Sequence, residues 1–129
     1  MEHLWIVLGS ALGGLGRYWL SGVIAARLGK VFPWNTLVVN ITGSFVIGVI
    51  AALAGSEGRL HPNYRAFAVQ FFMIGICGGY TTFSSFSLQT LNLLQEGQWL
   101  YAGGNIVLSV VFCLFAVWLG YFVGQLINH

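Results

Sequence analysis

Residues 66–94 read AFAVQFFMIGICGGYTTFSSFSLQTLNLL, a run without a single charged side chain. A membrane-spanning helix needs about 20 mostly apolar residues. The run is long enough to cross a bilayer and too long for one plain helix. Its centre, GICGGYTTFSSFS (75–87), is rich in glycine and then in hydroxyls. Gly78-Gly79 predicts a helix break, because glycine adopts backbone shapes closed to other residues. Non-helical backbone at membrane depth survives only where it is buried in protein or lines a water-filled cavity. Carbonyls freed there are hard oxygen ligands for a small cation. Thr81, Thr82, Ser84, Ser85 and Ser87 follow, with Phe83 and Phe86 among them. The two rings are three residues apart and lean to one face. Ring edges carry partial positive charge, so two edges and an amide N–H can solvate a small anion loosely enough to release it. The same rings serve equally well as core filler.

The rest of the chain has the same character. Of 129 residues, 57% are hydrophobic and 6% charged, against roughly 25% charged in a typical soluble domain. Apolar runs cover residues 4–28, 35–54 and 100–127. With residues 66–94 they predict an all-α membrane protein of four transmembrane helices, the third broken, forming a single domain over residues 1–129. The first run continues past the length of a cleaved signal peptide, and Met1-Glu2-His3 lacks a basic start, so it reads as a retained span. Small residues four apart let helix backbones approach closely. Gly9/Gly13, Gly75/Gly79 and Gly120/Gly124 have this spacing and predict packing within the chain or between subunits.

The few charges are informative. With four spans, Arg59 and Arg65 lie on one side of the membrane and Arg27 and Lys30 on the other. Basic residues near span ends set orientation, and two against two gives no bias. The balance predicts insertion in both orientations and an antiparallel homodimer, the alternative being that a feature other than these charges decides insertion. The net charge of +2, with no basic patch, argues against nucleic acid. An enzyme site needs titratable groups brought together. Glu2, Glu57 and Glu96 lie at span ends or in loops, and His3, His61 and His129 are scattered. No pair has metal-ligand spacing. The GGLGR run (13–17) lacks the GK[ST] ending of a phosphate loop. Cys77 and Cys113 fall in apolar stretches and read as small buried hydrophobes.

What remains is uncharged polar groups at membrane depth. Thr36, Asn40 and Ser44 are four apart, with Gly48 continuing the row. Tyr101, Asn105 and Ser109 repeat the spacing. Residues at i and i+4 share a helix face, and an unpartnered amide in hydrocarbon costs several kcal/mol, so both faces look inward. Hydrogen bonding between helices and pore lining are both open. Arg17, the charge deep in a span, faces an interior or an aqueous cavity. It either attracts anions at a vestibule or ties to backbone carbonyls.

GGLGRYWL (13–20), FPWNTLVVNITGSFVIG (32–48) and GICGGYTTFSSFS (75–87) together resemble the Fluc/CrcB family of fluoride channels. The likeness spans the first three helices; the fourth matches in its length and its Tyr/Asn/Ser row. The resemblance implies a dual-topology antiparallel homodimer in the cell (inner or plasma) membrane, with two pores for passive fluoride export. It implies a structural sodium ion held by backbone carbonyls of Gly78 and Thr81. It also implies a pore asparagine at Asn40 with Thr36 one turn away, pore aromatics at Phe83 and Phe86, and a polar track among Tyr101, Asn105 and Ser109. Asn35 stands where the family often has glycine, and Ser85 where threonine is frequent; neither removes a residue assigned to the pore. Two rival functions stand beside this one. A proton-coupled exporter of similar size relies on a carboxylate within the membrane, and no carboxylate lies mid-span here. An accessory subunit would use the polar rows as glue between helices.

Overall fold

The computed structural model describes residues 2–55 and 58–128. Glu57 and His129, two of the titratable groups considered above, lie outside them. No strand occurs among the described residues. Helix α1 spans Glu2–Leu28 and α2 spans Trp34–Ala54. Helix α3 (62–80) is α-helical over Pro62–Phe67, π-helical over Ala68–Cys77 and α-helical again over Gly78–Tyr80. Helix α4 spans Phe83–Gln95 and α5 spans Trp99–Asn128.

Local chemistry sets the ends. Gly29, at φ +85°, follows α1 and donates its N–H to the Ala25 carbonyl at 3.0 Å. Gly97, at φ +76°, ends α4 in the same left-handed conformation, which glycine adopts without penalty. The Gln98 N–H closes that turn on the Leu93 carbonyl at 2.8 Å. At the start of α3, His61 Nδ1 accepts from the Asn63 N–H at 3.2 Å, and Pro62 occupies the first turn, where its missing N–H costs nothing.

Three helical runs are long and apolar enough to cross a membrane: Trp34–Ala54, Pro62–Gln95 and Trp99–Asn128. Helix α1 has 27 residues, about 40 Å at 1.5 Å per residue. It is not among the three; Arg17 and its glycines and serines dilute its apolar character. Large apolar side chains are exposed along the helices, Leu15, Trp19, Leu100, Phe115 and Trp118 among them. So large an apolar exposure is foreign to a water-soluble monomer and suits a multi-pass membrane protein.

The helices meet backbone to backbone. A Cβ on Gly9 would lie 2.9 Å from Gly75 Cα, and one on Gly79 would lie 3.0 Å from Ser10 Cα. Gly13 faces the Ile76 carbonyl. On the other side of the molecule, Gly48 faces the Val117 carbonyl, Gly120 the Phe45 carbonyl and Gly124 the Ala52 side chain. The three glycine pairs therefore pack within one chain: α1 on α3, and α2 on α5. Arg59 joins the far end of α5 to the loop after α2, through Nη1 to the Ile127 carbonyl at 2.9 Å and its N–H to Asn128 Oδ1 at 2.8 Å. At the opposite end, Phe32 lies edge-on to Tyr101 at 6.0 Å.

The interruption of the third run differs from the sequence expectation in place. Gly78 is helical at φ −63°, ψ −38°, and the helix ends after Tyr80. The extended residues are Thr81 (φ −79°, ψ 155°) and Thr82 (φ −150°, ψ 110°). The glycines serve close approach instead: a side chain at Gly79 would collide with the Ser10 backbone. The threonines can break the helix because other groups satisfy their backbone. The π-helical stretch ahead of the break has no counterpart in the sequence reading.

Candidate functional site

The break is built around one amide. Asn40 Nδ2 donates to the Thr82 carbonyl at 3.0 Å, and the Thr82 N–H donates to Asn40 Oδ1 at 2.8 Å. A side chain thus pairs with both polar groups of Thr82, as a neighbouring strand would. In a continued helix the Thr82 N–H would have gone to the Gly78 carbonyl; that oxygen loses its helical donor. The Thr81 N–H and hydroxyl both turn back to the Cys77 carbonyl, at 3.0 and 2.9 Å. Thr82 Oγ1 accepts from the Ser85 N–H at 3.2 Å and so caps α4, the role for which threonine is favoured at a helix start. Arg17 Nε donates to the Gly79 carbonyl at 3.4 Å. Of the two readings of Arg17, this geometry matches the tie to backbone.

Beside the break lies a cleft of about 470 Å³. Asn40, Gly78, Thr81, Phe83, Phe86 and Ser109 all line it. Six residues singled out from sequence therefore meet at one place. The phenyl rings have centroids 5.3 Å apart with planes inclined by 47°. Phe83 is 77% exposed, so the cleft opens at the molecule's flank. Asn40 keeps one N–H beyond its bond to Thr82, since an amide carries two. Ser44, Cys77 and Cys113 also line the cleft. The cysteines are free, Cys77 buried and Cys113 half-buried. None of the residues lining the cleft carries a formal charge.

Other candidates fall elsewhere. Thr36 is buried and does not reach the cleft. The row on α5 divides. Tyr101 sits at the molecule's end against Phe32. Asn105 is 1% exposed and donates through Nδ2 to Thr90 Oγ1 at 3.0 Å, while Thr90 donates to the Phe86 carbonyl at 2.8 Å. Ser109 donates to Asn105 Oδ1 at 3.4 Å and is the member that meets the cleft. Asn105 therefore ties α5 to α4 just behind Phe86. Thr90 went unnoticed in the sequence, although it continues the four-residue row Thr82–Phe86–Thr90. A smaller polar cavity of about 230 Å³ lies at one end, lined by Lys30, Asn35, Gln89, Asn92 and Glu96 among others. Among the described residues no three of His, Cys, Asp and Glu come together as metal ligands.

Comparison with known proteins follows the same lines. The family model described as "CrcB-like protein, Camphor Resistance (CrcB)" matches residues 4–121. A protein of Rhodospirillum rubrum named "Fluoride-specific ion channel FluC" is 59% identical over 131 aligned positions, covering 100% of this chain and 98% of that protein. A protein of Methylocella silvestris with the same name is 56% identical over 129, covering 100% and 97%. A third so named, from Opitutus terrae, is 55% identical over 126, covering 98% and 94%. With a family match across nearly its whole length and relatives this similar end to end, the chain belongs to the CrcB-like family.

Proposed function

We propose that this protein is a fluoride-selective ion channel, not an enzyme, that lets fluoride leave the cell passively through the inner or plasma membrane and so limits its toxicity. The observation that carries the reading is the cleft: an uncharged amide, two phenyl rings and hydroxyls gathered beside an opened helix. Fluoride is small and strongly hydrated, so a pore must replace its water with several good donors. The free N–H of Asn40 and the edges of Phe83 and Phe86 are such donors, and the Ser109 hydroxyl, which donates to Asn105 Oδ1, adds polarity beside them. No fixed positive charge lines the cleft, which keeps the ion weakly held and mobile. The names of the relatives support the choice of halide.

In the same reading the chain crosses the membrane four times, α1 included, and pairs with an inverted copy. The open flank at Phe83 is where a second copy would complete each pore. The carbonyls of Gly78 and Thr81 would hold a structural sodium ion. They suit it chemically, as hard neutral oxygens, and the Gly78 carbonyl has lost its helical donor to Asn40. Bound there, sodium would supply positive charge that fixes the break. Tyr101, Asn105 and Thr36 would belong to the approaches and supports of the path, and Arg17 would brace the break through Gly79.

The test is fluoride-electrode efflux from liposomes holding the purified protein, with chloride as control. Rapid fluoride efflux without chloride efflux is expected. Absence of fluoride flux under a gradient would overturn the reading in favour of an accessory subunit, and flux tied to proton uptake would favour an exporter. Replacing sodium by a larger monovalent cation during purification is expected to reduce flux or assembly; unchanged flux would remove the sodium site.

A further inference from the structure

We propose that Tyr80 and Thr42 are positioning residues that clasp the helix break around α2. Thr42 Oγ1 lies 2.8 Å from Tyr80 Oη. The same oxygen lies 2.9 Å from the Val38 carbonyl and 3.1 Å from the Val39 carbonyl. Carbonyls only accept, so the single Thr42 proton goes to them. The Tyr80 hydroxyl must then donate to Thr42, and the two form a directed chain that ends on α2's own backbone. Both hydroxyls are thereby satisfied within one chain at membrane depth, where an unpaired one is costly.

The register makes this a clasp. The break holds α2 at Asn40 through Thr82 and at Thr42 through Tyr80. At about 100° per residue, Asn40, Gly43 and Thr42 succeed one another around the helix. The span between the two grips passes over Gly43. A Cβ there would lie 3.1 Å from Tyr80 Cδ2 and would strike the Thr81 methyl. The bare backbone at Gly43 lets the chain wrap closely, and Thr81 sits between the two points of hold. Tyr80 thus fixes the near side of the break as Asn40 fixes the far side, so that the Thr81 peptide and the start of α4 under Phe83 keep one position.

The flux arm of the test rests on the fluoride reading; the exchange arm does not. Variants Y80F, T42V, the double Y80F/T42V and T42S are compared with the parent protein. Amide hydrogen exchange of residues 80–84 in nanodiscs is expected to quicken about fivefold in Y80F and in T42V, the change from losing one net hydrogen bond, and no further in the double variant. T42S keeps the hydroxyl and should match the parent. Fluoride flux should fall in the same order, with the oligomeric state unchanged. Parent-like exchange in Y80F and T42V would overturn the clasp, as would exchange in T42S equal to T42V. A parent protein that carries no fluoride would sink the channel reading, and the exchange results would still decide the clasp.

Discussion

At Asn40 a side-chain amide takes the place of a missing peptide partner, bonding both the N–H and the carbonyl of Thr82. Asn40→Asp keeps an acceptor for the Thr82 N–H, removes the donor to its carbonyl and brings a negative charge to the cleft. Fluoride flux is expected to drop by about tenfold or more, since a buried group left unpaired costs about 1–3 kcal/mol; parent-level flux in liposomes would show that the amide is dispensable. Phe83→Ile and Phe86→Ile test the rings. Each should cut flux up to about tenfold, in line with the worth of an oriented ring contact, with size-exclusion elution unchanged. Full flux in both would make the rings filler. Residue type and spacing drew Asn40, Phe83 and Phe86 out of the sequence. Asn105 and Tyr101 share Ser109's spacing and yet serve other neighbours, because a row of four says which helix face residues share and not what that face meets at each level.

Among the helices, contact depends on glycine where backbones touch. Gly120 lies against the Phe45 carbonyl and Gly48 against the Val117 carbonyl, so α2 and α5 cannot admit a side chain between them. Gly120→Val is expected to destabilise the protein by about 1–3 kcal/mol through overpacking, seen as a lower unfolding temperature in detergent. Gly14 has nothing near a built Cβ, and Gly14→Ala should leave that temperature equal or raise it, as alanine favours a helix by about 1 kcal/mol. Equal effects at the two positions would refute the packing argument. The broken run teaches a similar lesson about elements. Gly78-Gly79 was legible as a weak point, yet the chain opens at Thr81–Thr82, where Asn40 waits on another helix and Thr82 caps the next one. A break forms where its backbone can be satisfied, and that partner lies 42 residues away in sequence.

For the molecule as a whole, the balance of Arg27 and Lys30 against Arg59 and Arg65 bears on insertion. Arg59 is bonded to the end of α5, and Arg65 Nε donates to the Leu60 carbonyl at 3.2 Å. Cysteine-accessibility labelling of a terminal tag in intact cells should find it on both faces of the membrane. Labelling from one face alone would exclude the inverted pair. Replacing Arg27 and Lys30 by glutamine should tip the ratio strongly toward one orientation, since positive residues near span ends govern it.

Residue order alone established that the chain is helical, apolar and built for a bilayer, that its third run is interrupted, and that its polar residues at depth, Arg17 apart, are neutral. Those properties follow from composition and from what a backbone can do without water. Tertiary structure decided where the helix opens, which polar residues meet in the cleft, and that Arg17, Tyr80 and Thr42 find partners at or beside the break. Each of these depends on a hydrogen bond or a close approach between segments far apart in the chain, and local spacing carries no information about such a meeting.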